Sequence, residues 1–375
     1  VVSNKQFLDS LRDQGVDFFC GVPDSLLKSF CAYLSSHTAD SEHIITANEG
    51  AAVGLAAGYH ISTGKLPLVY LQNSGLGNAV NPLLSLADTE VYSIPMILMI
   101  GWRGEPGVKD EPQHHKQGRV QNRMLEAMEV PFYILDSETD DISGFVSQVA
   151  GDARKLSGPV AVVVRKDTFE EFNSAESDAI GYELSREEAI YHVLDRLSEN
   201  DIVVSTTGKP SREVYEYRKK KGQGHQNDFL TVGSMGHTSH IALGIALHTA
   251  RKVICLDGDG SLIMHMGSLC INGSIAPANF KHIVLNNGAH DSVGGQPTLG
   301  FEISIPGIAE ACGYKKVYTA ADSSEMEKRL DNFLQSEGPS LLEVRVKKGA
   351  RNDLGRPEST PVQNKMDLMN LLKSE

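Results

Sequence analysis

Short apolar runs alternate along this chain with stretches whose apolar residues recur at helical spacing. Phe7, Leu8 and Leu11 share one face of a first helix, Phe18-Phe19-Cys20 follows as a strand, and Leu26, Leu27 and Phe30 mark a second helix. Residues 44–46, 66–71, 94–100, 130–135 and 160–164 read as further strands, and residues 202–205, 229–232, 253–256, 283–285 and 340–346 repeat the pattern before a short final helix over 366–372. Near-continuous apolar strands need cover on both faces, so the pattern predicts an α/β chain with parallel sheets flanked by helices. Residues 169–184 break the alternation. They carry Glu170, Glu171, Glu176, Asp178 and Glu183 without a long apolar run, and read as a linker between a domain over 1–168 and a second over 185–375.

Two polar blocks stand at strand ends in the second half. Asp257-Gly258-Asp259-Gly260-Ser261 follows the run 252–256, and Asn286-Asn287-Gly288-Ala289 follows 281–285. Between them residues 261–276 show a helical stripe (Leu262, Met266, Leu269, Cys270), so the whole reads as strand, helix, strand. A right-handed crossover puts both strand ends on one edge of the sheet. Gly258 and Gly260 let backbone approach a ligand, the amides at Ser261 suit phosphate, and Asp259 with Asn287 offers two hard oxygens to Mg²⁺. Taken singly, each block is an ordinary turn. In the first half Glu49 is the only charge in a helix start of small residues, Ala47 to Gly58. It is a dipole-compensating residue or a carboxyl of raised pKa beside a large flat ligand.

These segments together resemble the thiamine-diphosphate-dependent decarboxylase superfamily. The resemblance implies two thiamin-diphosphate-binding-fold domains, pyrimidine-binding (PYR) over 1–168 and diphosphate-binding (PP) over 185–375, without the middle domain of larger relatives. It implies that Glu49 exchanges a proton with the aminopyrimidine ring of thiamine diphosphate, and that Asp259, Asn287 and the Ala289 carbonyl bind Mg²⁺. Met235, within Gly233-Ser234-Met235-Gly236, would be the apolar wedge under the cofactor; Thr206, Thr207, Gly208, Gly258, Gly260 and Ser261 would border the diphosphate. In the family the two halves of a cofactor site come from different subunits, so a homodimer or higher oligomer is expected. The chain's two-domain layout and the segments 21–27, 110–115 and 286–298 resemble the phosphonopyruvate decarboxylase branch, with sulfopyruvate decarboxylases as the alternative. That implies non-oxidative loss of CO₂ from a small anionic 2-oxo acid. Ser25, Asp24, His114 and His115 are then candidates for proton handling.

Charge refines the picture. The formal net charge is −13 over 375 residues, which argues against nucleic acid or an anionic membrane as partner. Positive charge is nevertheless gathered over 101–123, where Arg103, Lys109, Lys116, Arg119 and Arg123 stand in a stretch broken by Gly101, Gly104, Pro106, Gly107 and Pro112. We read it as a loop suited to an anionic substrate, with Arg103, Lys109, Arg119 and, in the second half, His290 as candidate contacts. Interleaved Glu105, Asp110 and Glu111 also fit a plain salt-bridged loop. Arg218-Lys219-Lys220-Lys221 reads as a solvated helix end. Ser74-Gly75-Leu76-Gly77-Asn78 lacks the third glycine of a dinucleotide loop, which counts against a nicotinamide oxidoreductase. Five cysteines without a CxxC pair read as buried free thiols in a reducing compartment, and no apolar run is long enough for a membrane helix. A cytoplasmic enzyme is the expectation.

Overall fold

A computed structural model describes residues 1–172 and 181–373. The chain divides into two compact units, Val1–Ser177 and Asp178–Glu375. The stretch 169–184 is tied to a unit at each end. Phe169 bridges Val2, and Glu170 accepts from the Asn4 amide at 2.9 Å. At the other end the Leu184 carbonyl accepts from Lys347 N–H at 2.8 Å. Glu176 and Asp178 lie outside the described residues.

The first unit holds six strands: β1 (Phe19–Gly21), β2 (His43–Ile45), β3 (Leu68–Gln72), β4 (Met96–Gly101), β5 (Phe132–Leu135) and β6 (Pro159–Val164). All pairings are parallel, in the order β2-β1-β3-β4-β6-β5. Every residue of β4 and β6 is buried, as unbroken apolar runs between two helical layers require. From β1 the chain steps outward to β2 and then returns to β3 on the other side. A crevice therefore opens beyond the carboxyl ends of β1 and β3. Gly21 permits that pairing, because a Cβ there would lie 2.0 Å from the Tyr70 carbonyl.

The second unit repeats the plan with β7 (Ile202–Ser205), β8 (Asp228–Leu230), β9 (Val253–Gly258), β10 (Phe280–Asn286), β11 (Lys316–Ala320) and β12 (Ser340–Arg345). The parallel order is β11-β12-β10-β9-β7-β8, so its crevice lies beyond β7 and β9. The edge strand β11 is half exposed, and its mixed sequence hides it from a search for apolar runs.

Four expectations need correction. The stripe over 261–276 is two helices, Asp259–Met264 and Ser268–Ile275; the break spans His265 and Gly267, a poor helix former. The basic stretch is a loop only as far as Glu111. Pro112, with its φ preset for a first turn, starts a helix running to Ala127. Arg218 is not solvated: it is buried and forked onto the fully buried Asp228 at 3.1 and 3.2 Å, leaving only the lysines exposed. Of the cysteines, Cys20, Cys31 and Cys255 are buried, but Cys270 is exposed and Cys312 partly so.

Candidate active site

Each unit gathers polar side chains at the crevice its topology creates. In the first, Glu49 opens the helix Glu49–Thr63, whose N-cap Asn48 accepts from Ala51 N–H at 2.9 Å. The carboxyl is 5% exposed. Its Oε2 accepts from Asn78 Nδ2 at 2.8 Å, and Gly75 packs so closely on Oε1 that a Cβ would stand 2.0 Å away. Burial raises its pKa against the opposing pull of Asn78. A helix start of Gly and Ala makes this seat, and Asn78 completes it from the segment that resembled a dinucleotide loop.

The turn after β3 joins Glu49 to the other candidates. Ser74 Oγ donates to Gln72 Oε1 at 2.7 Å, and Gln72 Nε2 donates to Asp24 Oδ1 at 2.6 Å. Asp24 is fully buried, and its other oxygen accepts from Leu26 N–H at 3.1 Å. Burial raises its pKa, with Gln72 and Arg103 opposing. Ser25 is less buried and accepts from Arg103 Nη1 at 2.6 Å. The structure thus turns Asp24 inward and leaves Ser25 nearer the surface. Arg103 is also forked onto Asp110, Nε–Oδ2 2.8 Å and Nη2–Oδ1 2.5 Å. Burial pushes Asp110 upward, yet Arg103 and the amides of Glu111 and Gly104 outweigh it and hold the carboxyl well below its usual range. One carboxylate therefore already answers most of the Arg103 charge. Lys109, Arg119 and His115 are exposed, the last with its ring Nε2 2.9 Å from the Asp110 carbonyl. His114 is buried with Nδ1 unpartnered; burial, then Arg103, lowers its pKa to about 4. The two adjacent histidines thus differ: one is a neutral buried ring, the other a solvent-facing one.

In the second unit four loops meet. The Ser261 hydroxyl accepts from Thr206 Oγ1 at 3.2 Å and from Gly236 N–H at 3.1 Å. This joins the loops after β7, β8 and β9. The loop after β10 reaches the same place, since a Cβ on Gly208 (φ +96°) would lie 2.6 Å from Ser292 Oγ. Register sets the acid and amide side by side: Leu285 pairs with Gly258, so Asp259 and Asn286-Asn287 leave the sheet together. The two asparagines divide the work. Asn286 is fully buried and spends its amide on the Gly300 carbonyl (2.6 Å) and Glu343 (2.7 Å). Asn287 keeps its side-chain oxygen lightly used: among the described residues it accepts only from Ala289 N–H, at 3.1 Å. Burial raises the Asp259 pKa to about 6, opposed by the Thr298 hydroxyl and the Asn287 amide. His290 lies over Gly260, its pKa lowered to about 4 by burial. Met235 is half-buried and belongs to neither apolar cluster of its unit; Ser234 beside it holds φ +53°. Thr207, Gly233 and Gly258 line these same loops.

The donor set is all hard oxygen: a carboxylate, an amide oxygen and the Ala289 carbonyl. It suits Mg²⁺ and offers nothing to a soft metal. Hydroxyls and loop amides beside it suit phosphate oxygens. The second unit therefore fits a diphosphate held through a divalent cation, and the first holds a buried carboxyl whose pKa burial has raised. Pattern reading missed Gln72, Asn78, Thr298, Asp291 and Arg186. These act by touching the named residues, a relation that spacing along the chain does not carry.

Comparisons with known proteins define the class. Residues 3–126 match the thiamine pyrophosphate enzyme N-terminal TPP binding domain, and residues 206–344 match the C-terminal TPP binding domain. The chain belongs to the thiamine pyrophosphate enzyme family, and thiamine diphosphate is its cofactor; between the two matches lie β5 and β6 of the first sheet and β7 of the second, not the strands of a middle domain. Among individual relatives, it is 36% identical to a phosphonopyruvate decarboxylase of Streptomyces viridochromogenes, over 94% of this chain and 90% of that one. A phosphonopyruvate decarboxylase of Streptomyces hygroscopicus is 35% identical, over 96% and 92%. A sulfopyruvate decarboxylase of Methanosarcina acetivorans is 27% identical, over 95% and 94%.

Proposed function

We propose that this chain decarboxylates 3-phosphonopyruvate to phosphonoacetaldehyde and CO₂, without oxidation, as a step of phosphonate biosynthesis. The observation that carries the reading is the near full-length similarity to two phosphonopyruvate decarboxylases, above that to the sulfopyruvate enzyme. Bound thiamine diphosphate supplies the electron sink that lets the carboxylate leave as CO₂. The chain's own residues do the rest. Glu49, its proton favoured by burial, holds and returns a proton at the cofactor ring. Asp259, the Asn287 amide oxygen and the Ala289 carbonyl hold Mg²⁺, while Thr206, Ser261 and the glycine amides receive the diphosphate. Met235, free of the core, wedges the cofactor. Ser25, Asp24, His114 and His115 are the candidates for proton handling at the departing product, Asp24 as a buried carboxyl of raised pKa and Ser25 beside Arg103. Arg103 offers the phosphonate a charge only as far as Asp110 releases it. Lys109, Arg119 and His290 are weaker candidates for that contact.

The expected assembly is a homodimer or larger, in which a partner subunit completes each cofactor site. Among the described residues no helix is long and apolar enough to cross a membrane, and all five cysteines are free thiols, which supports a reducing, cytoplasmic setting. The test is incubation with thiamine diphosphate, Mg²⁺ and each oxo acid, following CO₂ and the phosphorus resonance. Phosphonoacetaldehyde is the expected product. Turnover of sulfopyruvate with phosphonopyruvate left intact would select the alternative activity.

A further inference from the structure

Behind Asn287 a buried polar chain runs into the second unit. Asn287 Nδ2 donates to Asp291 Oδ2 at 2.7 Å. The same oxygen accepts from Arg186 Nη1 at 2.9 Å and from Gly349 N–H at 3.1 Å. Arg186 is 4% exposed and turns its remaining fork onto Glu213, which is 2% exposed, with Nε–Oε2 at 2.9 Å and Nη2–Oε1 at 3.0 Å. Two segments far apart in sequence thus hold one carboxylate, the helix that opens the unit at Arg186 and the loop beyond β12 at Gly349, and the helix Lys209–Lys220 braces Arg186 through Glu213.

A side-chain amide has two unlike ends. Its NH₂ donates and its oxygen accepts, and exchanging them is a rotation of half a turn about the last bond. An ionised carboxylate accepts only. Asp291 therefore selects the orientation in which Nδ2 faces inward and Oδ1 faces away from it. A cation can use the oxygen and is repelled by the NH₂. Alone, Asn287 has little else to choose between the two orientations: among the described residues the Ala289 amide, at 3.1 Å, is its one other side-chain hydrogen bond. The Asn287 backbone is fixed separately, through its N–H to the Asp259 carboxylate.

We infer that Asp291, held in place by the Arg186–Glu213 pair, is a positioning residue for the cation site: it locks the Asn287 amide with its oxygen outward. The inference rests on the reading of Asn287 as a metal ligand. Partners one bond removed from a ligand set its orientation and charge, and losing one costs about 10–100-fold in metal affinity. Glu213 and Arg186 act one step further out, by preventing Asp291 from turning away.

The test is Mn²⁺ binding, read by electron paramagnetic resonance on the full chain with thiamine diphosphate present. Asp291→Ala leaves Arg186 paired with Glu213, so no buried charge is stranded. Its Mn²⁺ dissociation constant is expected to rise about tenfold or more. Turnover is expected to recover as metal is raised, with KM for the oxo acid unchanged. Asp291→Asn, which keeps an acceptor oxygen toward Asn287, should restore part of the affinity. Melting of the metal-free proteins separates this effect from a loss of structure, and if Asp291→Ala does not melt cooperatively, Asp291→Asn carries the comparison. Asp259→Ala is the control for the underlying reading. If Asp259→Ala loses Mn²⁺ while the Asp291 variants bind as wild type, the positioning role is overturned and the metal site stands. If Asp259→Ala binds Mn²⁺ as wild type, the metal site itself is wrong and the inference falls with it.

Discussion

Replacing Glu49 by Gln separates the proton from the shape of the site. The geometry predicts small structural cost. Gln Oε1 still accepts from Asn78 Nδ2, now 2.8 Å from a carboxylate oxygen. Exchanging a charged acceptor for a neutral one weakens such a bond by about 1 kcal/mol. Against this, the variant no longer buries a carboxyl that prefers water. The sign with pH follows from the raised pKa. The folded chain holds this proton more tightly than the unfolded one. The contribution of Glu49 to stability is therefore full below the unfolded pKa and is lost as pH rises through the folded value. Gln does not titrate there, so stability of wild type minus variant must fall as pH increases. At neutral pH the two should agree within about 1 kcal/mol, a Tm difference of about 2–4 °C for a unit of this size. Turnover should fall far more. A positioned acid–base group contributes about 10²–10⁴-fold, or about 2.7–5.4 kcal/mol of barrier. The assay is CO₂ release at saturating oxo acid, with cofactor occupancy titrated in the same sample and melting followed across pH. Near wild-type turnover at full occupancy would refute the role of Glu49. A stability difference that grows in favour of wild type with pH would refute the claim that burial favours its protonated form.

Gly75→Ala should lower both stability and turnover, since its Cβ would meet Glu49 Oε1 at 2.0 Å; overpacking of this kind costs about 1–3 kcal/mol, and a variant with unchanged Tm and rate would contradict that contact. Met235→Ala should cut turnover while costing less than the about 2–5 kcal/mol of a buried Met→Ala, because Met235 stands outside both cores; a large fall in Tm with normal activity would return it to the packing. Chelating Mg²⁺ in the presence of thiamine diphosphate should lower Tm, by about 2.7 kcal/mol of lost stabilisation if cofactor is at a hundred times its Kd, and equal melting with and without metal would deny the cation a part in binding.

What the sequence made legible is what depends on local pattern. β4, β6, β9 and β10 announce themselves as apolar runs, and Asp259, Asn287 and Glu49 stand at strand ends or a helix start, where a backbone argument reaches them. What stayed hidden depends on contact. Arg218 sits in a run of four basic residues, and only Asp228, reached through packing, makes it a buried one. Asp110 looked like one acid among several, yet it neutralises the arginine that charge counting had singled out for substrate. Asn78 lay in a segment weighed for another cofactor, and its meaning came from the carboxyl it touches 29 residues away in sequence. The part played by Asn286 stayed hidden as well, because its partners Gly300 and Glu343 come from 14 and 57 residues away along the chain.

The Ser261 hydroxyl, where Thr206 and Gly236 meet, has a consequence for how the protein comes to be made. Its partners are 55 and 25 residues away along the chain. Such contacts pay their loop-closure entropy in full before any of them rewards the chain, and parallel pairing of β7 with β9 must come first. No fragment carrying Asp259 and Asn287 alone can assemble this pocket, however well its β9–β10 crossover forms. Uptake of thiamine diphosphate during refolding therefore has to wait until β7, β8 and β9 have come together, however early the β9–β10 crossover forms.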